Sequence, residues 1–565
     1  MKMNNLENTP TQWSIGKKIA FRITFVFFLL VSIPLSSGWY KNLIAIDWLN
    51  PHYRDIYDIA RFGTNAPPVL FGSSGRPNIA DGEGQEAASP QKQRRRDSLK
   101  RAKGAQSSKI DSDKERSQHN ESNVQRKRSW LSDYSSWGNA LAIAVVVGLV
   151  WSLLDRKRPS YNVLYYWLTV VVRFRAAIGI IGFGFTKLFP TQMPFPSLGL
   201  LNTDFGDFTA QKIYWLSVGI VPWYQVFGGI VELAAGALLL FRKTATYGAI
   251  LLIGALGDIT FVNYAYDGGV HVYAFYFVLL GTLVIAADLP RLYNLLILER
   301  YTVPQYYYPD YSKPIYKYTR IALKGLTILI FFVILTYTEV INFKYDPYKQ
   351  PSTAGVKTLR GNYNVTVFKI NGQEIPYSPL DSVRWKEATF EKWTTLTFRI
   401  NKPVVVDPSN GGGSPMRDIQ RTFEIAGTAG GQRAFHYYAD TVEHVLYLQD
   451  KNALASRSGR GRRSGSDEKE SGKKDNWISK AAWKNIGDEN RMIDKRAWST
   501  RRDREFARPE RSSNRARLTL NYHTTDGNKV ILEGLNENND SLYVVLDKVN
   551  RKYVLPESKL NAGKY

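Results

Sequence analysis

The amino-acid sequence predicts a bundle of about seven transmembrane α-helices followed by a C-terminal all-β domain, either a small barrel or a sandwich. Seven apolar runs lie before residue 340, and each is close to the ~20 residues that cross about 30 Å of hydrocarbon. After residue 342 the pattern changes to short segments separated by turn residues, which is typical of β structure. The mean hydropathy of −0.28 is mild because long charged stretches dilute the apolar runs.

The first apolar run, Ile19–Ser37, has basic flanks and is either a transmembrane helix or the apolar part of a signal peptide. The residues SSGW at its end are a poor cleavage site, which favours an uncleaved helix. Trp137, Trp151 and Trp223 lie at the ends of later runs, as tryptophans do at membrane–water boundaries. The later runs are Asn139–Leu154, Trp167–Phe189, Tyr224–Phe241, Tyr247–Ala265, Val270–Ala287 and Ile321–Glu339.

Lysine and arginine in the short loops predict how this bundle is oriented. Basic residues occupy the loops 155–158 and 242–243 and several positions between the sixth and seventh runs, whereas the loop 265–269 carries none. With a cytoplasmic N-terminus all three basic loops fall on the cytoplasmic side, as the positive-inside rule requires. The predicted orientation therefore places the N-terminus inside and the β domain outside.

These spans divide the chain into four predicted parts. Residues 1–38 form the first transmembrane helix or signal anchor, and residues 39–136 form an extracytoplasmic loop with a disordered basic insert at 73–129. Residues 137–341 form the transmembrane bundle and a trailing helix, and residues 342–565 form the extracytoplasmic β domain with a charged low-complexity insert at 456–513. The net charge of +25 is concentrated in the two inserts. No fold that reads nucleic acid accompanies it, so the expected partners are the lipid bilayer and envelope proteins.

The β domain begins with Tyr363–Ile370, which runs into Asn371-Gly372, a strong signal for a two-residue hairpin turn. The insert at 456–513 contains Trp477, Trp483 and Trp498, so part of it is expected to be helical. Further strands are predicted at Thr394–Ile400, Arg421–Ala426, Ala434–Tyr438, Val442–Leu448, Arg517–Tyr522, Lys529–Leu535, Leu542–Leu546 and Lys552–Leu555.

The absence of cysteine excludes disulfides, iron–sulfur clusters, cysteine-bound zinc and covalent c-type haem. Intrinsic b-type haem is not expected, because only His271 of the six histidines touches an apolar run, and it lies at an end. His436, Glu443 and His444 fall on predicted strands, where exposed side chains are favoured over metal ligands, and no metal site is predicted. A cysteine-free chain fits a bacterial envelope protein.

Three ordered motifs resemble those of the DoxX-like membrane proteins, in the variant common in Bacteroidetes that carries an extended C-terminal region. Residues 182–196 read GFGFTKLFPTQMPFP, residues 224–242 read YQVFGGIVELAAGALLLFR with a G-x-x-E helix, and residues 258–272 read DITFVNYAYDGGVHV. The sequence departs from this pattern at Gly268-Gly269, where related chains often place a proline. The resemblance implies a four-helix core and an inner-membrane location. Some relatives look like subunits of thiosulfate:quinone oxidoreductases.

Ionisable residues within the apolar runs are the candidates for chemistry, because a charge in hydrocarbon is costly unless it is paired or hydrated. Glu232 and Asp258 are the candidate catalytic or proton-accepting residues. The candidate ligand-binding residues, all near the predicted outer surface, are Lys187, Gln192, Asp267 and His271. Together they could form a polar pocket that opens outward and suits a quinone headgroup or a small oxyanion.

A structural interpretation competes with this one and is favoured over it. Glu232 can pair with Arg173, Arg175 or Lys187 to fasten helices together, and Asp258 can hydrogen-bond a neighbouring backbone. The predicted function is therefore a membrane subunit or anchor of an envelope assembly, with the β domain as a docking or sensing module. The alternative is a membrane oxidoreductase component that handles quinone. A transporter has little support, because no inverted repeat or pair of broken helices is evident.

Overall fold

A computed structural model describes residues 12–61, 134–302, 307, 309, 311–412, 417–452, 477–508 and 515–565. It has a helical N-terminal region and a C-terminal eight-stranded β-barrel, which confirms the broad prediction and selects a barrel over a sandwich. The predicted insert at 73–129 and the first part of the insert at 456–513 lie outside the described residues.

The helical region contains helices of very different length. Five helical stretches are long and apolar enough to cross a membrane, or up to seven if two bent helix pairs each count as one span. The helices are α1 (Ile15–Ser32), α2 (Ser37–Ile44), α3 (Tyr53–Arg61), α4 (Ser135–Leu154), α5 (Asn162–Leu188), α6 (Leu198–Leu201), α7 (Ala210–Gly219), α8 (Pro222–Leu240), α9 (Ala245–Ala265), α10 (His271–Ile285), α11 (Leu289–Leu296), α12 (Pro314–Ile328), α13 (Leu335–Tyr345), α14 (Lys480–Ile486) and α15 (Thr500–Phe506).

One of the two bent pairs departs from a predicted span, whereas α10 agrees with the predicted span Val270–Ala287. The first predicted span continued to Ser37, but α1 ends at Ser32 and the chain turns by 49° into α2. Pro34 lies at this break, where it cannot donate a backbone hydrogen bond. Helices α10 and α11 are bent by 76°, with Pro290 in the first turn of α11. In contrast, α12 and α13 form one continuous stretch through a π-helical turn at Leu329–Ile334.

Helix α5 lies at the centre of the helical region and packs against α8. Gly229 of α8 comes so close to α5 that a Cβ atom there would lie 2.5 Å from the backbone nitrogen of Leu188. A Cβ on Gly236 would lie 2.5 Å from the side chain of Ile181. Small residues on one helix face allow this close approach. The two helices are therefore held at a separation that only glycine permits.

The stretch after α1, predicted to be a loop, contains helices α2 and α3. Helix α3 packs against α5: Tyr57 makes an edge-to-face contact with Phe183, and a Cβ on Gly182 would lie 3.3 Å from Ala60. The periodicity of apolar residues did not reveal α3 because it is short and carries four charged residues among nine. It nevertheless becomes part of the helical core.

The barrel closes because its first strand, β1, pairs with β3 on one side and with the last strand, β9, on the other. Strands β3 to β9 follow one another in sheet order, β1 pairs with β3 and β9, and β2 adds a short hairpin to β1. The strands are β1 (Gly361–Ile370), β2 (Gln373–Glu374), β3 (Glu387–Phe390), β4 (Thr395–Arg399), β5 (Gln432–Asp440), β6 (Val445–Asp450), β7 (Arg517–His523), β8 (Lys529–Leu535) and β9 (Ser541–Val549). Every edge of the main sheet is thereby paired.

Two predicted strands were wrong. Residues Arg421–Ala426 form turns, because the N–H groups of Ile425 and Ala426 bond to the Thr422 carbonyl within the segment and not to a neighbouring strand. The buried Arg421 side chain donates to Asp346. Residues Lys552–Leu555 have no strand structure, and Val554 is almost fully exposed. The predicted hairpin turn is present, with Asn371 and Gly372 at φ 52° and 77°. The insert is partly helical, as expected, through α14 and α15.

Candidate functional site

The strongest contact among the predicted site residues joins Lys187 and Glu232. The Lys187 ammonium donates to Oε1 of Glu232 and ties the end of α5 to the middle of α8. Both side chains are largely buried, with 13% and 2% of their surface exposed. The second oxygen of Glu232, Oε2, is buried and has no hydrogen-bond partner among the described residues. The carboxylate therefore keeps one free acceptor position beside a cation.

The loop that follows α5 is held against α8 by a residue that the sequence analysis did not single out. The Gln225 side chain accepts a hydrogen bond from the Met193 N–H at 3.0 Å and donates to the Met193 carbonyl at 3.1 Å. Gln225 and Glu232 are seven residues apart and share the buried face of α8. Gln192, a predicted ligand-binding residue, lies next to this clamp, and its Oε1 is buried without a hydrogen-bond partner among the described residues.

Tyr214 of α7 lies within the electrostatic reach of both predicted carboxylates. Its ring stacks on Tyr266 with centroids 5.2 Å apart. Burial raises the pKa of the Tyr214 hydroxyl to about 12, and the nearby Tyr224, Asp258, Tyr266 and Glu232 add to this rise. Asp258, which is exposed on α9, and the buried Glu232 therefore both act on this hydroxyl. The sequence carried little signal for Tyr214, because α7 lies between the predicted spans.

The predicted residues at the turn between α9 and α10 do not join the Lys187–Glu232 pair in any described contact. Asp267 is exposed and adopts a positive φ of 56°. The His271 ring lies edge-on to Tyr134 and Tyr264, with centroids 6.2 and 6.1 Å away. A Cβ on Gly268 would lie 2.2 Å from Oδ1 of Asn263, which explains why glycine occupies this turn.

Arg173 and Arg175 of α5 differ in their partners, and neither forms the predicted ion pair with Glu232. Arg175, expected in an ion pair, donates to the carbonyls of Ala60 and Arg61 at the end of α3, at 2.8 and 3.2 Å. Arg173 is buried and forms no hydrogen bond or ion pair with another described residue. The cation that pairs with Glu232 is Lys187.

A second concentration of buried charge joins the barrel to the helices. Its centre is Asp346, which directly follows α13. Oδ1 of Asp346 accepts from Arg421 at 2.6 Å and from Ser352 at 2.5 Å, while Oδ2 accepts from Arg502 at 2.7 Å. Nε2 of the buried His52 lies 4.0 Å from Oδ2. Burial alone would raise the pKa of Asp346, but Arg421 and Arg502 hold it well below its usual value.

Arg501 extends this assembly to helix α3. Its guanidinium contacts Asp55 at 3.2 Å and Glu505 at 2.7 Å, and it also pairs with Asp58. Burial raises the pKa of the Asp58 carboxyl, yet the charges of Arg501 and Arg54 outweigh burial, so that this pKa lies below its usual value. Helix α15, from the predicted low-complexity insert, thus joins α3 to the barrel side of the molecule. We call Asp346, Arg421, Arg501, Arg502 and their partners the bundle–barrel interface.

The loops between α5 and α8 contact the barrel in two further places. Glu391, at the end of β3, accepts hydrogen bonds from the N–H groups of Leu198 and Gly199 at 3.0 and 2.8 Å. Burial raises the pKa of Glu391 to about 7. Lys212 of α7 donates to the Phe423 carbonyl at 2.5 Å, and burial lowers the pKa of Lys212 to about 7. The barrel is therefore attached at several buried polar points.

The described residues contain no group of three histidine, aspartate or glutamate side chains placed to hold a metal ion. Comparison of the chain with protein-family models, with curated proteins and with solved structures gave no match. The features of this chain that bear on function are therefore its two charged regions and the arrangement of its apolar helices.

Proposed function

We propose that this chain is a DoxX-like multi-pass protein of the bacterial inner membrane that serves as a subunit or anchor of an envelope assembly. The long apolar helices would form the membrane bundle, with the N-terminus in the cytoplasm. The barrel would lie outside as a docking or sensing module. The three motifs, the basic loops at 155–158 and 242–243, and the basic residues Arg291, Arg300, Lys313, Lys317 and Arg320 support this reading. These basic positions adjoin the helix ends opposite to those that contact the barrel.

The observation that carries the proposal is the bundle–barrel interface. Asp346 binds Arg421 of the barrel domain and Arg502 of α15, and Arg501 binds the carboxylates of α3. Because these charges are buried and mutually paired, separating the barrel from the helices would leave several of them unpaired. The barrel is therefore held in one position on the helices, as a docking platform on a membrane anchor requires.

Cysteine labelling tests the orientation directly, because the chain has no cysteine of its own. Asn538→Cys lies in an exposed barrel turn, and Lys157→Cys lies in an exposed basic loop. In spheroplasts, an impermeant maleimide should label Asn538→Cys at once and Lys157→Cys only after permeabilisation. The reverse pattern would overturn the proposed topology, and labelling of a protein in the aqueous fraction would overturn the membrane location.

Photo-crosslinking tests the docking role without disturbing the interface. A photoreactive residue placed at the exposed positions Leu380, Val442 or Val554 should form adducts with a protein partner in living cells. The matched control is Tyr247, which is exposed on α9 outside the barrel and should give lipid adducts only. Barrel positions that yield no protein adduct would contradict a docking module.

A quinone-linked oxidoreductase component is the second candidate function, and the free Oε2 of Glu232 favours it. A quinol hydroxyl could donate to Oε2, with Lys187 and Tyr214 close by. If this function holds, Glu232→Gln should abolish electron transfer while the amount of protein in the membrane stays unchanged, and purified protein should contain quinone. If Glu232→Gln and Lys187→Met both lower the amount of protein in the membrane, the pair serves only to hold α5 against α8.

A further inference from the structure

A row of cations runs along one face of helix α12. Lys313, Lys317, Arg320 and Lys324 are spaced four, three and four residues apart, which places them on the same side of a helix. From Tyr311 to Ile328 the sequence contains no aspartate or glutamate. The Arg320 guanidinium lies 5.1 Å from the ring of Tyr311. This face therefore has a positive charge that its own helix does not neutralise.

The buried Arg173 of α5 lies beside this face. Tyr166 of α5 bonds to Tyr311, whose ring lies 5.1 Å from Arg320, so α5 meets this face through a described contact. Arg173 is repelled by Arg242 and Arg320, and Lys324 is repelled by Arg320 and Arg173. Arg173 has 9% of its surface exposed, and its Nε has no acceptor among the described residues. A buried guanidinium without an acceptor is strongly destabilising.

The described neighbouring groups do not resolve this imbalance. The nearby hydroxyls of Tyr166 and Tyr311 are bonded to each other at 3.0 Å. Two described acids at the same end of the helices have other partners: Asp155 accepts from Tyr161, and Asp288 accepts from Thr246. Cations that repel one another do not hold α5 and α12 together. An anion from outside the described residues would neutralise their charge.

We propose that Arg173, Arg320 and Lys324 bind a phosphate group, and that this phosphate belongs to the headgroup of an anionic phospholipid. Guanidinium groups match phosphate oxygens with paired hydrogen bonds, and basic sites between transmembrane helices bind anionic headgroups. Exposed apolar side chains at Trp167, Ile321 and Leu323 provide adjacent surface for acyl chains, which a free phosphate would not need. The proposal rests on the membrane location proposed above, and it places the lipid in the leaflet away from the barrel.

The test measures which lipids the full-length protein retains. Wild-type protein is reconstituted in vesicles of phosphatidylcholine with or without phosphatidylglycerol, extracted in mild detergent, and its retained lipids are identified by mass spectrometry. Phosphatidylglycerol should be enriched over its share of the bilayer. Arg320→Gln and Lys324→Gln should each lower that enrichment by about fivefold. Lys157→Gln, an exposed cation at the same end of the bundle, is the control and should leave it unchanged.

Each outcome decides one point. Equal enrichment in wild type, Arg320→Gln and Lys324→Gln would overturn the site. Inorganic phosphate that binds the lipid-free protein while phosphatidylglycerol is not retained would overturn the lipid as its source. Flotation of the wild type with the vesicles but without lipid preference would reject the site and leave the membrane location standing. A wild type that fails to float with vesicles would reject the membrane location itself.

Discussion

The bundle–barrel interface and the cationic cluster of Arg173, Arg320 and Lys324 use charge in opposite ways. At the interface, Asp346 forms ion pairs with two arginines, and Arg501 forms ion pairs with three carboxylates. Nearly every buried charge there has its counter-charge in the same chain. In the cationic cluster, the Arg173 guanidinium lies over the Phe174 ring, and its described charged neighbours are other cations. The first region is satisfied by folding alone, whereas no described group supplies a counter-charge to the second, where we propose an added anion.

The paired charges of the bundle–barrel interface stabilise the fold, whereas the cationic cluster is suited to bind an external anion. A paired buried charge is costly to break, since removing one partner leaves the other unpaired, but it has little capacity to bind anything else. A buried cation without a counter-charge destabilises the fold and attracts an anion. The Lys187–Glu232 pair lies between these cases, because one carboxylate oxygen is paired and the other is free.

The largest expected effect is at the centre of the interface. Asp346→Ala removes the acceptor shared by Arg421 and Arg502 and should destabilise the protein by about 3–5 kcal/mol. Thermal unfolding of the detergent-purified full chain measures this loss. The control is Asp494→Ala, whose pair with Arg496 is largely exposed and whose loss should cost about 0–1 kcal/mol. Equal melting temperatures for the two variants would show that the interface does not fasten the barrel.

A slightly smaller effect is expected inside the β domain, where Lys451 and Glu424 are fully buried and 2.8 Å apart. Lys451→Met leaves the Glu424 carboxylate buried with only Trp393 and Thr395 as donors, and should cost about 3 kcal/mol. Adding Glu424→Gln should recover most of that loss, because the amide still accepts both hydrogen bonds and carries no charge. If the double variant is no more stable than the single one, the penalty comes from packing rather than from an unpaired charge.

The pH dependence of stability provides a third, moderate effect. Burial lowers the pKa of His436 to about 4, with Lys451 and Arg515 adding to this and Asp418 opposing it. Between pH 6.5 and about 4 the unfolded chain binds a proton that the folded chain does not, so stability should fall as the pH falls. The loss attributable to His436 should be on the order of 2 kcal/mol over this range. Unfolding measured from pH 7 to 4 should show a shallower fall in His436→Gln than in the wild type, and parallel curves would contradict this assignment.

The smallest effect is expected at the cationic cluster. Arg320 is exposed and contacts only the Tyr311 ring among described groups, so Arg320→Gln in lipid-free detergent should change stability by no more than about 0.5 kcal/mol. In vesicles that contain phosphatidylglycerol, the wild type should gain stability and Arg320→Gln should gain less. A large loss of stability of Arg320→Gln in lipid-free detergent would contradict this expectation, because it would show that Arg320 stabilises the fold as the interface residues do.

Local patterns were sufficient for much of the fold and for part of the site. Continuous apolar runs predicted α4, α5, α8 and α9 to within a few residues, and alternating segments predicted most barrel strands. The spacing of Lys187 and Glu232 within two such runs made their pairing one of three stated possibilities. Tyr214, Gln225 and helix α3 were missed, because each gains its role from a neighbour that is distant in sequence.

By itself, the sequence determined the long apolar helices and most of the barrel strands, because hydrophobic periodicity and turn residues act over a few neighbouring positions. Only the tertiary structure decided how the charges are distributed between partners. Arg502 reaches Asp346 across 156 positions, and Arg501 reaches Asp55 across 446. No local pattern encodes such a pairing, since the energy of a buried charge depends on what folding places beside it. For the same reason, only the folded chain shows that Arg173 is buried and that its Nε has no acceptor among the described residues.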